Sequence, residues 1–130
     1  MVAIDTDIVV RLLVNDDPAQ TEKVTALFKT EKVFIAKTVV LETEWVLRGV
    51  YALDRGVINN ALRKLLSLEQ VIVEDETIIF NALDAHEQSI DLADAIHLAS
   101  SHRAVTFATF DAKFKSTAKK LSLKPTVIIP

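Results

Sequence analysis

Thr106-Phe107-Ala108-Thr109-Phe110-Asp111-Ala112-Lys113-Phe114 holds the unit from which the rest of the chain is built. The β-branched and aromatic run at 106–109 favours a strand, because such side chains pack well on a pleated surface. Asp111 follows it, and from 112 to 121 the pattern changes to a helical period. The same succession recurs along the sequence. Short β-branched runs at 2–4, 33–36, 71–73 and 126–129 alternate with segments of helical period at about 38–53, 57–68, 75–88 and 92–103. Asp17 followed by Pro18 opens one more helix, cap then first turn, which Ala19, Val24, Leu27 and Phe28 carry toward Thr30. Strands separated by helices run parallel, so an α/β fold is expected. The run 71–73 also fits an extended connection between helices, which leaves a central parallel sheet of four or five strands.

A chain of 130 residues, 50% apolar, fits one compact domain over residues 1–130 with a core of ordinary size. Two glycines, three prolines and no repeat or low-complexity tract point to packed elements throughout. No run approaches the roughly 18 apolar residues of a membrane span, and the first ten residues lack the basic head of a secretory signal. A soluble, cytoplasmic protein with no membrane partner is expected. The absence of cysteine excludes disulfides and thiolate metal sites. The net charge of −3 and pI of about 5.6 oppose long-range attraction of a nucleic acid. The segment 111–124 is nevertheless locally basic, with Lys113, Lys115, Lys119, Lys120 and Lys124 against Asp111 alone.

In open parallel sheets ligands gather outside the carboxyl ends of the strands. Asp5 and Asp111 are expected there, although Asp5 also fits a turn and Asp111 a helix cap. Glu42 shares a helical stripe with Val39, Val46, Gly49 and Leu53, with Glu44 on the opposite face. A carboxylate on a buried stripe needs compensation by a metal or by an ion pair with Arg11 or Arg48, unless the helix is rotated enough to expose Glu42. Asp91 and Asp94 open a helix rich in small residues, Asp91 as N-cap and Asp94 in the first turn. Asp5, Glu42, Asp94 and Asp111 are all expected at one edge of the sheet, where like charges require a counter-cation. Oxygen donors without cysteine suit magnesium or manganese. His86, His97 and His102 have no metal-ligand spacing and read as surface or packing residues.

Four segments, in this order and spacing, resemble the PIN domain, and within it VapC-type toxins, over essentially the whole chain. They are Ile4-Asp5-Thr6-Asp7 with Arg11, Val40-Leu41-Glu42-Thr43-Glu44-Trp45-Val46-Leu47, Asp91-Leu92-Ala93-Asp94-Ala95-Ile96 and Ala108-Thr109-Phe110-Asp111-Ala112-Lys113-Phe114. The resemblance implies a three-layer α/β/α fold and a metal-dependent endoribonuclease using Mg2+ or Mn2+. It implies the toxin of a toxin–antitoxin pair, which cuts tRNA or rRNA to inhibit translation and leaves a 5′-phosphate and a 3′-hydroxyl. Asp5, Glu42, Asp94 and Asp111 match the family's acidic residues, and Thr109 would orient a carboxylate or a metal-bound water. Asp7 stands where the family's first motif usually has asparagine.

The metal is expected to lower the pKa of water and to stabilise charge on the scissile phosphate. Arg11, Arg48, Lys113 and Lys115 are candidate phosphate contacts, with a solvated helix face as the alternative for the lysines. A small VapB-like antitoxin and a second copy of the chain are the implied protein partners. An apolar surplus at Val46, Val50, Leu53, Ile58, Leu62, Leu65 and Leu66 also favours a homodimer. Two other functions fit parts of the sequence. Asp5 and Asp7 match the aspartate-x-aspartate signature of haloacid-dehalogenase-like phosphohydrolases, although the chain is short and lacks a later glycine-aspartate motif. A non-catalytic binding module is the other.

Overall fold

The computed structural model describes residues 1–130, which divide into two compact units, Met1–Glu76 and Thr77–Pro130. In the first unit the order is β1 (Val2–Ala3), α1 (Thr6–Leu13), α2 (Pro18–Thr30), β2 (Val33–Ile35), α3 (Lys37–Gly49), α4 (Arg55–Leu66) and β3 (Val71–Val73). The strands form a parallel sheet in the order β1-β2-β3, with Val2 opposite Val33 and Val33 opposite Val71. Alternation along each strand decides what is buried: Val33, Ile35, Val71 and Val73 face the core, while Ile72 is exposed. Val9, Val24, Phe28, Val40, Leu47, Ile58 and Leu62 complete that core. The start of α3 has no side-chain cap of its own. Glu74, just after β3, accepts from the Lys37 backbone N at 2.9 Å, and Asp75 pairs with the Lys37 ammonium at 2.9 Å.

The second unit runs α5 (Glu76–Glu87, all but its first residue in this unit), α6 (Leu92–Ser100), β4 (Thr106–Ala108), α7 (Ala112–Lys120) and β5 (Thr126–Ile128). β4 and β5 pair in parallel, Phe107 opposite Val127. Ile79, Leu83, Leu92, Leu98, Phe114, Ala118 and Val127 are buried.

The expected α/β class, with helices between parallel strands, is present, and the doubtful run Val71–Val73 is a strand. The single sheet of four or five strands is corrected: hydrogen bonding gives one sheet of three strands and one of two. β1 has only two residues, and its ladder is made with β2, through Val2 N to Lys32 O at 2.8 Å and Ile4 N to Phe34 O at 3.2 Å.

Helix α1 was not expected, because Ile8, Val9 and Val10 favour a strand. The Asp5 cap and burial of Val9 and Val10 override that preference. The helix expected over 38–53 ends at Gly49, and Ala52 takes a positive φ of 52° before α4 begins. No helix is long and apolar enough to cross a membrane.

Candidate functional site

In the first unit, Asp5, Thr6, Asp7, Val10, Arg11, Glu42, Val46, Val50 and Tyr51 line one cleft of about 440 Å³. Asp5 enters it as the N-cap of α1, its carboxylate accepting from the Thr6 backbone N at 2.7 Å. The buried Thr6 hydroxyl donates to Glu42 Oε1. Residues distant in sequence, Asp5 at the end of β1 and Glu42 on α3, thus meet across Thr6. Asp7, in the first turn of α1, is an exposed third acid of the same cleft.

The buried face first assigned to α3 is corrected, and the alternative of a helix rotated to expose Glu42 holds. Its buried stripe is Val40, Thr43, Glu44 and Leu47, so Glu42 is exposed and Glu44 is the buried acid. Burial of Val40 and Leu47 sets this rotation, and two local bonds tolerate the polar members. The Thr43 hydroxyl donates to Val39 O at 2.7 Å, and Arg48 donates to Glu44 through Nε at 2.8 Å and Nη2 at 3.2 Å. The ion pair weighed for Glu42 belongs instead to Glu44, and the four-residue spacing of Glu44 and Arg48 was its signal. The stripe with Glu42 and Val46 borders the cleft rather than the core.

Two cleft-side residues escaped the sequence. Asp16 pairs with Arg11 and accepts from the Tyr51 hydroxyl at 2.8 Å. That hydrogen bond foremost, with the Arg11 guanidinium, holds the Asp16 carboxyl below its usual range. Arg11 Nε is buried without a hydrogen-bond partner. Nothing local joins Tyr51 to Asp16, so only tertiary packing reveals the pair.

In the second unit, Asp91 caps α6, accepting from Ala93 N at 3.1 Å, and Asp94 follows in the first turn. Burial pushes the Asp94 carboxyl up, and the charges of Asp91 and Asp111 push it further, against a smaller opposite effect of His97. Asp94 and Asp111 are therefore near enough to repel. Asp111 caps α7, accepting from Phe114 N at 2.9 Å, and its own backbone N donates to Thr109 Oγ1 at 3.1 Å. The Thr109 hydroxyl thus fixes the turn that presents Asp111. Lys113 and Lys115 are exposed on α7, whose buried residues are Phe114 and Ala118.

No group of three His, Asp or Glu side chains in either unit is arranged to hold a metal ion. Asp5 and Glu42 line one cleft, and Asp94 lies within the field of Asp91 and Asp111. Their donor chemistry fits magnesium, which keeps several waters and binds through one or two carboxylates. The repulsion felt by Asp94 is what a cation would relieve. His86 is buried, while His97 and His102 are exposed.

No curated protein matches the chain. Comparison with known families does give a match, to the PIN domain over residues 2–120, from β1 to the end of α7 and through all four carboxylates. PIN domains are typically metal-dependent nucleases. The chain belongs to the PIN domain family.

Proposed function

We propose that this protein is an endoribonuclease dependent on magnesium or manganese, the VapC-type toxin of a toxin–antitoxin pair, and that it cuts tRNA or rRNA in the cytoplasm to inhibit translation. The observation that carries this is the family match, which contains all four acids. It also supports treating residues 1–130 as one nuclease domain. Asp5, Glu42, Asp94 and Asp111 are the proposed metal-holding carboxylates. A bound divalent ion supplies Lewis acidity toward the phosphate and lowers the pKa of water.

The chain's own groups prepare the rest. Thr6 orients both acids of its cleft, by its backbone N to Asp5 and its hydroxyl to Glu42. Thr109 holds the backbone of Asp111. Lys113 and Lys115 are the exposed candidates for phosphate contact, whereas Arg11 and Arg48 are engaged by Asp16 and Glu44. The haloacid-dehalogenase-like alternative is not favoured, since the whole-chain match is to a different family.

A small VapB-like antitoxin and a second copy of the chain are the proposed partners. The core takes Ile58, Leu62, Leu65 and Leu66 out of the apolar surplus, while Trp45 and Val50 are exposed and available for contact. The test is to incubate purified protein with total RNA in magnesium, manganese or chelator and to map new 5′ ends. Metal-dependent ends bearing a 5′-phosphate are expected. No new ends with either metal would overturn the proposal.

A further inference from the structure

Of the six phenylalanines, Phe28 and Phe114 are buried and Phe34, Phe80 and Phe107 are partly covered. Phe110 is 84% exposed, directly beside Asp111. Its position is held from both sides. Thr109 N donates to Ile128 O at 2.9 Å, which extends the ladder past β4, and Thr109 Oγ1 accepts from Asp111 N. Asp111 caps α7, and the rings of Phe107 and Phe114 meet edge to face at 5.8 Å, fastening β4 to α7. A turn pinned in this way loses little further backbone freedom on binding.

The chemistry around the ring narrows what it meets. Its neighbours along the turn, Ala108, Thr109, Asp111, Ala112 and Lys113, are small or polar, and Lys113, Lys115, Lys119 and Lys120 are exposed along α7. One aromatic face followed by cationic side chains complements a nucleotide, base on ring and phosphate toward ammonium. With a net charge of −3, the chain as a whole gives little long-range attraction for a polyanion, which raises the value of a stacking contact.

We propose that Phe110 is a base-stacking residue, which takes one unpaired nucleobase of the substrate against its ring beside Asp111. This rests on the nuclease function proposed above and adds to it a residue that contacts the substrate. A duplex keeps its bases stacked on one another and offers no free face to the ring.

The test uses the full chain with Trp45→Phe, which removes its only tryptophan, and Phe110→Trp, which puts a reporter at the turn. Stopped-flow mixing with a single-stranded oligoribonucleotide in magnesium reads binding before turnover. Quenching by that strand, and none by an abasic strand or by a duplex of the same sequence, is expected. In competition binding, Phe110→Ala and Phe110→Leu should weaken affinity by about 5- to 150-fold, the range for stacking one base, while Phe110→Tyr keeps it. Equal quenching by the abasic strand, or wild-type affinity in Phe110→Leu or Phe110→Ala, overturns the proposal. The latter with Leu alone would mean that the position serves apolar docking. Stacking without any cleavage would count against the nuclease function and not against this contact. Cleavage by Phe110→Ala with unchanged KM would count against this contact alone.

Discussion

Replacing Asp94 by Asn separates a metal ligand from an ordinary first-turn acid. The Asp94 carboxyl is raised by burial and by Asp91 and Asp111, so the native state holds its proton more tightly than the unfolded chain. Native protein then binds more protons across that window, and stability falls as pH rises from the ordinary carboxylate value through the raised one. Above the window the whole penalty is present. Asp94→Asn removes it but also loses a favourable charge in the first helical turn, worth about 0.3–1 kcal/mol.

The group is only half-buried. After discounting for solvent screening, two like-charge neighbours at about 0.2–0.5 kcal/mol each, less the smaller end of that loss, leave a net gain of up to about 0.5 kcal/mol in chelator at neutral pH. For 130 residues, an unfolding entropy near 2.1 cal/mol/K per residue converts this to about 2 °C in Tm. Magnesium at ten times its Kd should add about 1.4 kcal/mol, roughly 5 °C, to wild type and little to the variant. The two melting curves should therefore exchange order between chelator and magnesium, and the variant's advantage in chelator should vanish as pH falls through the carboxylate range. A variant that melts no higher than wild type in chelator, with an undiminished magnesium response, would refute the reasoning and leave Asp94 a plain helix residue.

Arg48→Ala leaves the buried Glu44 carboxylate without its bidentate partner. Urea unfolding should show a loss of about 2–4 kcal/mol, largely recovered in Glu44→Leu/Arg48→Met, where no charge is buried. Asp16→Ala should lower the Tyr51 pKa toward its ordinary value, since the hydrogen bond to Asp16 is the foremost cause of its elevation. Ultraviolet titration reads this cleanly because Tyr51 is the only tyrosine. Expression of the intact chain without its proposed antitoxin should arrest growth and translation, and Asp5→Asn should relieve both. Unimpaired growth with no new RNA ends would remove the toxin role.

Local chemistry made much of this protein readable before folding was considered. Short β-branched runs and helical periods were enough for six of the seven helices and for all five strands, because strand propensity and helical periodicity are written into the chain. The caps at Asp17, Asp91 and Asp111 were equally local, each a short side chain reaching a backbone N–H two or three residues on. Local rules failed where distant residues decided the outcome. Val9 and Val10 prefer strands and became helical because the core buries them. Which acid of α3 faced inward depended on the packing of Val40 and Leu47, which a helical wheel alone assigns to the wrong stripe. Strand pairing into sheets of three and two, the meeting of Glu42 with Asp5 through Thr6, and the bond from Tyr51 to Asp16 all join residues far apart in the chain. Periodicity reports which side of an element is apolar; the partner that side finds depends on how the whole chain packs.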